Sequence, residues 1–199
     1  MIPLPRRPLL AGLLALPCAA RAAAPSAAPV QALLNGLAAL CKSGKSTPFA
    51  TRAATFAPIV DASFDLQAIL IASIGPRWTG FPPQAQADLL AAFRAFTIAS
   101  WVANFDSDDG QIFELTPTPR QIGADEAITT RILPPTGDPT RLDFVMRNTN
   151  STWKAIDILI DGSISRAAVQ RSDFRGLLKD GSPAPLTASL KAKAAELAH

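Results

Sequence analysis

The sequence is poor in the residues that carry metal and nucleophilic chemistry. It has no tyrosine, two cysteines and a single histidine, His199, at the last position. These leave too few soft ligands for a structural zinc site. They also leave no internal histidine to activate a serine or cysteine nucleophile. We therefore predict no metal site, no cofactor and no catalytic residue.

Charged residues are also scarce, at 18% of the chain against 48% hydrophobic residues. This composition is that of a chain with a real apolar core and excludes the disordered class. The net charge of +3 comes from Arg6, Arg7 and Arg21, because residues 1–22 contain no acid. The rest of the chain is neutral and lacks the basic surface that nucleic-acid binding requires. We predict no nucleic-acid partner.

The N-terminus has the order of parts found in an export signal. Arg6 and Arg7 precede the apolar run Leu9–Leu16, and the small-residue pattern Ala20–Ala22 follows. The run is shorter than the roughly 20 residues that span a bilayer. We predict a signal peptide over residues 1–22, cleaved near Ala22, with export to the periplasm by either the general or the twin-arginine route.

The remainder, residues 23–199, is predicted to be a single domain and a monomer. Pro17 stands before Cys18 in place of the small residue usual in lipidation signals, so we expect Cys18 to leave with the signal rather than carry a lipid. Cys41 would then be the one remaining cysteine, on an apolar helical stretch, and is expected to act as a small buried hydrophobe.

Apolar residues at three- and four-residue spacing predict helices in the first half of the chain. The longest opens at Pro82-Pro83, where a proline in the first helical turn does no harm. The apolar face of this longest helix is rich in aromatic residues. The predicted helices cover Val30–Leu40, Phe49–Phe56 before Pro58, the stretch from Ser63 to Ile74, the long helix from Pro82 to Trp101, the stretch from Ile164 to Leu178, and Pro185–Leu197.

From Gly110 the apolar period changes to two, which predicts strands. Asn148–Ser151 is a short turn between the last two strands, so these should form an antiparallel hairpin. The order of helices, a strand meander and helices predicts an α+β fold with about four strands. The predicted strands are Ile112–Leu115, Ala127–Leu133, Arg141–Arg147 and Trp153–Ile160.

Two short motifs resemble ligand loops but lack essential positions. Gly44-Lys45-Ser46 matches the tail of a phosphate-binding loop, yet Ala39 stands where the leading glycine belongs. Asp106–Gly110 resembles a calcium loop, but its glycine comes one residue early and Pro117 replaces the bidentate glutamate. We interpret both as turns between elements.

The C-terminal half resembles a known family. Trp153–Gly162 is a tryptophan-led strand that ends in an aspartate and a glycine turn, and Arg171–Phe174 is an arginine–serine–acid–phenylalanine motif on the following helix. Both are similar to MlaC, the periplasmic lipid-binding component of the Mla (toluene-tolerance) transport system. Gln170 replaces the MlaC tyrosine, and Asn104–Ser107 lies upstream. These two features resemble most the hopanoid-associated branch, HpnM.

The resemblance implies a curved antiparallel sheet packed against N- and C-terminal helices, with lipid chains in an apolar cavity between them. It also implies a carrier that exchanges a hopanoid or phospholipid with transport complexes of the inner and outer membranes. Apolar periodicity alone does not distinguish residues that pack in a core from residues that line a cavity. With the resemblance, we expect the lipid-binding residues to be Ile74, Trp78, Phe93, Phe96, Trp101, Phe144, Met146, Ile156 and Ile158.

Two other functions stay open at this point. One is an accessory subunit that docks on an ABC-type lipid transporter without carrying lipid. The other is an α+β enzyme with Asp157 and Asp173 as acid–base candidates. We expect instead that Trp153 and Asp157 anchor the last strand, while Arg171 and Asp173 form a charge-assisted structural network.

Overall fold

The computed structural model describes residues 24–199, so the predicted signal peptide and Cys18 lie outside the described residues. Short 3-10 turns follow two of the helices, over Gly75–Gly80 and Gly176–Leu178. The helices are α1 (Ala27–Ser43), α2 (Phe49–Ser63), α3 (Leu66–Ile74), α4 (Pro83–Asn104), α5 (Arg166–Arg175) and α6 (Ala184–Glu196).

Several helices begin at residues whose chemistry favours a helix start. The Asp65 side chain accepts a hydrogen bond from the Ala68 backbone N–H at 2.9 Å and caps α3. The Ser165 hydroxyl accepts from the Ala168 N–H at 3.0 Å and caps α5. Pro83 opens α4, where its missing N–H is not needed.

Helix α2 extends further than predicted. The sequence predicted an end at Phe56, before Pro58, but the helix continues through Pro58 to Ser63. A proline inside a helix costs roughly 3 kcal/mol because it removes a hydrogen bond and crowds the preceding turn. Phe56 and Val60 are fully buried on either side of Pro58, so burial of the apolar face of α2 offsets this cost.

The strands form one curved antiparallel sheet of six strands, in the order β1-β3-β4-β5-β6, with β2 also paired to β3. The α+β prediction is confirmed. The four predicted strands are all present, and the two additional ones, β2 and β6, are only two or three residues long. The strands are β1 (Ile112–Leu115), β2 (Arg120–Ile122), β3 (Asp125–Leu133), β4 (Thr140–Thr149), β5 (Thr152–Ile160) and β6 (Ile164–Ser165).

Strands β4 and β5 form the predicted hairpin, with Thr149 opposite Thr152. The two turn residues, Asn150 and Ser151, both have positive φ, at 50° and 63°. Positive φ at both central residues is the pattern of the tight turn that matches the strand twist.

A β-bulge interrupts this hairpin. Val145 lies opposite Asp157, while the next residue, Met146, lies opposite Ala155, so Ile156 is the extra residue. The bulge shifts the side-chain alternation of β5. Ala155 and Ile158 share the face of Met146 and Phe144, whereas strict alternation had predicted Ile156 on that face.

The helices cover one face of the sheet, and a single hydrophobic cluster lies between the two layers. It joins buried residues of every helix to residues of β3, β4 and β5, so the described chain has one continuous core. Its representative members are Leu33, Phe56, Leu70, Phe93, Phe174, Leu186, Ile128, Phe144 and Ala155.

Candidate functional site

The predicted lipid-binding residues lie in this core. Ile74, Trp78, Phe93, Phe144 and Met146 are buried members of the cluster, while Phe96, Trp101 and Ile158 are half-buried and pack against it. Ile156 is half-buried, lies in the bulge and is not a member of the cluster. All the predicted residues except Ile156 therefore belong to the core or pack against it.

Five aromatic rings form a continuous row from the centre of the sheet to its edge. Ring centroids are 6.1 Å apart for Phe144–Phe64 and for Phe64–Trp101, 5.7 Å for Trp101–Phe105 and 5.8 Å for Phe105–Phe113. These distances are typical of interacting aromatic pairs. We call these five residues the aromatic row.

Exposure increases along the aromatic row. Phe144 and Phe64 are buried, whereas Trp101, Phe105 and Phe113 are half-buried. Phe113 lies on β1, an edge strand of the sheet. The aromatic row thus connects the interior of the core to the surface through apolar contacts alone.

Sequence reasoning placed only Trp101 and Phe144 of this row among the site residues. Phe64, Phe105 and Phe113 were missed because they lie at helix ends or on the edge strand, outside the periodic stripes. Phe64 ends α2 and also forms a parallel bridge to Ala155 on β5. This contact between distant parts of the chain has no local sequence signal.

Other predicted residues belong to different parts of the core. Phe93 packs edge-on against Phe174 of α5, with ring centroids 6.5 Å apart. Trp78 is held in the first 3-10 turn, where its carbonyl accepts a hydrogen bond from the Gln86 side chain at 2.9 Å. Ile74 lines a surface cavity of about 210 Å³ with Arg77, Arg171 and Arg175.

The Asp157 carboxylate joins β5 to α5. It accepts hydrogen bonds from the Ser165 hydroxyl at 2.5 Å and from the Ala167 N–H at 3.1 Å. It also accepts from the Ile158 N–H at 2.8 Å. A carboxylate at a helix N-terminus is stabilised by these donors, so Asp157 has the anchoring role expected for it.

The predicted network of Arg171 and Asp173 is not present. The Arg171 side chain donates from Nε, at 3.0 Å, and from Nη2 to the Ala72 carbonyl, near the end of α3. Asp173 is exposed and has no ion pair within residues 24–199. The reason is geometric, since the two residues are two apart on one helix and do not face each other.

The sheet face opposite the helices carries a buried charge. The Asp143 side chain has no exposed surface and accepts two hydrogen bonds from Arg141, at 2.8 and 2.9 Å, and one from Arg120 at 3.0 Å. Burial by itself would raise the pKa of Asp143, but the donors Arg141, Arg120 and Thr129 hold it below its ordinary value.

Two features are absent from residues 24–199: a metal-ligand cluster and a membrane-spanning helix. No group of three or more histidine, cysteine, aspartate or glutamate side chains is placed to hold a metal ion. No helix in that range combines the length and hydropathy needed to cross a bilayer.

The fold and the site define an α+β protein whose apolar core reaches the surface through a row of aromatic rings. The family described as MlaC protein matches residues 31–192, and the chain belongs to this family. No curated protein matches the sequence.

One solved structure with a similar fold is a phospholipid-binding protein from Ralstonia solanacearum, determined in complex with a phospholipid. The two chains are 20% identical, and the superposition has a TM-score of 0.70. It covers 88% of this chain and 100% of the Ralstonia chain. This likeness confirms the fold.

Proposed function

We propose that the protein is a periplasmic lipid carrier that holds the hydrocarbon chains of its cargo along the aromatic row. Membership of the MlaC family supports a lipid-binding role, and so does the phospholipid bound by the Ralstonia protein of similar fold. The observation within this chain that carries the proposal is the row itself, which leads from Phe113 at the sheet edge to Phe144 in the core.

A lipid chain in such a carrier has a free energy similar to that of the same chain in a bilayer. Burying one methylene of a lipid chain is worth about 0.8 kcal/mol relative to water. A carrier exchanges its cargo with a bilayer of similar apolarity, so the net free energy of transfer is close to zero. Loading and unloading then need no covalent chemistry, and the carrier needs no nucleophile.

Lipid chains reach the core by displacing the outer rings of the row. Trp101, Phe105 and Phe113 are half-buried, so each loses only part of its packing when it rotates towards solvent. One aromatic contact contributes about 0.5–1.5 kcal/mol beyond area burial. Because the cargo chain gains close to nothing on transfer from a bilayer, this loss is a cost of loading that is recovered on unloading.

The proposed cargo is a phospholipid or a hopanoid, exchanged between complexes of the inner and outer membranes. A phospholipid is supported by the cargo of the Ralstonia protein. A hopanoid is proposed only from the resemblance of Gln170 to the hopanoid-associated branch. Gln170 stands at the position where the MlaC pattern has a tyrosine.

Native mass spectrometry of the exported protein, purified from an envelope extract, tests this proposal. We expect a mass increase that corresponds to a bound lipid, released and identified by fragmentation. Protein that is lipid-free after gentle purification, and that binds a transporter complex tightly, would contradict the carrier function and favour the accessory-subunit alternative.

A further inference from the structure

Arg52 is a charged side chain in the interior of the helical layer. It lies on α2 with only 6% of its surface exposed. Its Nη1 donates to the Val102 carbonyl at 3.1 Å, near the end of α4, and the Phe49 ring centroid is 5.8 Å from its guanidinium carbon. Its Nε is buried without a hydrogen-bond partner in the part of the chain that the structure describes.

Arg52 also has no acidic partner within residues 24–199, since the salt bridges there involve other residues. A buried charge is ordinarily paired, because removing it from water is costly unless another charge compensates. A guanidinium in this position is therefore suited to an anion from outside the chain.

A cavity of about 400 Å³ adjoins Arg52 and provides room for such an anion. Lys45 lies on its wall and pairs with Asp106 at 3.2 Å. The Lys45 side chain is 77% exposed, so this ion pair contributes little stability and its lysine is free to turn to another anion. Asp106 also lies on this wall, and the other lining residues are Thr47, Phe49, Ala103 and residues 197–199.

A smaller apolar slot of about 110 Å³, lined by residues of α1 and α2, also borders Arg52. Thr47 and Arg52 line both the slot and the larger cavity. The remaining wall of the slot is mainly apolar and includes Gly36, Ala39, Leu40, Phe56 and Ile59. The wall of the larger cavity carries two cationic side chains, Arg52 and Lys45, and one acidic side chain, Asp106. This excess of positive side chains next to an apolar slot is complementary to an amphiphile with an anionic head.

We propose that Arg52 binds the oxyanion head of a single-chain amphiphile, a phosphate ester or a carboxylate, whose first methylenes lie in the slot. Guanidinium groups form charge-assisted hydrogen bonds with both oxyanions. No residue of the aromatic row lines either cavity. The proposal is therefore independent of the carrier function and of the place where the cargo chains lie.

Calorimetric titration of the full mature chain with dodecyl phosphate tests the site. We expect Arg52→Met to weaken binding by about tenfold or more, the effect of losing a charge-assisted hydrogen bond. The matched control is Arg166→Met, which removes an exposed arginine that lines neither cavity and should leave the affinity unchanged. Equal affinity of Arg52→Met and the native chain would overturn the proposal.

Two further titrations distinguish the contribution of the anionic head to binding from that of the hydrocarbon chain. Inorganic phosphate should compete with dodecyl phosphate but bind more weakly, and Ala39→Leu should weaken dodecyl phosphate alone by filling the slot. If inorganic phosphate binds as tightly as dodecyl phosphate and Ala39→Leu has no effect, the amphiphile assignment is wrong.

A measurement on the native chain covers the case in which Arg52→Met does not fold. The Nε–Hε resonance of Arg52, followed by NMR, should shift when dodecyl phosphate is added and should not shift with dodecyl maltoside, which has the same chain and an uncharged head. An Arg52 resonance that stays in place at saturating dodecyl phosphate contradicts the proposal.

Discussion

At the scale of single residues, the aromatic row differs from an ordinary core contact because its members cover the whole range from buried to half-exposed. A core needs only that its rings be buried, and Phe93 against Phe174 satisfies that need. The row continues outward through Phe105 to Phe113 at the sheet edge. In the proposed function, a lipid chain enters at Phe113 and follows these rings to Phe144.

A charge at the outer end of the aromatic row should block loading. We expect Phe113→Arg to reduce the lipid-bound fraction in native mass spectra strongly, because an arginine at this point must be desolvated whenever a chain passes. The matched control, Leu177→Arg, alters a half-buried residue that packs against the same core outside the row. Equal lipid loading of both variants would show that chains do not enter at Phe113.

The buried Asp143 predicts how stability depends on pH. Because its pKa is lowered in the folded chain, its ion pairs stabilise the fold above the ordinary value of 3.8 and are lost as pH falls through the folded value. We expect Asp143→Asn to cost about 2–4 kcal/mol at neutral pH, measured by urea denaturation. The difference from the native chain should shrink below pH 3.8.

An exposed acid provides the control for this experiment. Asp173 has no ion pair in the described part of the chain, so Asp173→Asn should change the free energy of unfolding by less than about 0.5 kcal/mol. A stability difference for Asp143→Asn that persists unchanged at acidic pH would show that the cost comes from packing and not from charge.

At the scale of elements, the long periodic stretches were predictable and the short or interrupted ones were not. Alternation identified β3, β4 and β5, because each has one face on the core. Strands β2 and β6 are too short to show a period. The bulge at Ile156 changes which residues of β5 face inward, and only the pairing with β4 defines it.

The contact between α3 and α5 gives a prediction at this scale. Arg171 donates to the Ala72 carbonyl in the last turn of α3, where carbonyls lack helical partners and a cation is favoured. We expect Arg171→Ala to lower the free energy of unfolding by about 1 kcal/mol. Arg175→Ala, on the same helix and also exposed, should lie within about 0.5 kcal/mol of the native chain.

That experiment distinguishes a structural role from a functional one. If Arg171→Ala unfolds at the same urea concentration as the native chain but no longer carries lipid, Arg171 belongs to a binding surface. The cavity that Arg171 lines with Arg77, Arg175 and Ile74 would then be the candidate binding site.

At the scale of the whole molecule, the fold class followed from the order of periods, helical, then alternating, then helical. The residues of the candidate site could be predicted from the sequence only in part. Apolar periodicity is the same for a residue that packs in a core and for one that lines a lipid cavity, so it led to Phe93 as readily as to Trp101. The row is defined by contacts between α2, α4, β1 and β4, which are distant in sequence.

The prediction for the exported protein concerns its first residue. We expect the mature chain to begin near Ala23 without an acyl group on Cys18, because the apolar run is short and Pro17 precedes the cysteine. N-terminal sequencing combined with intact-mass measurement of the exported protein checks this. An acylated Cys18 at the mature N-terminus would show that the protein is a lipoprotein and not a freely diffusing carrier.

The central claim is that lipid chains lie along the aromatic row, and photo-crosslinking tests it most directly. The protein is loaded with a phospholipid that carries a diazirine in its acyl chain, irradiated, and digested for peptide mapping. We predict adducts at Phe64 and within residues 101–113. Adducts confined to the groove between the starts of α4 and α6, which includes Phe81, Ala85 and Ala188, would contradict the account.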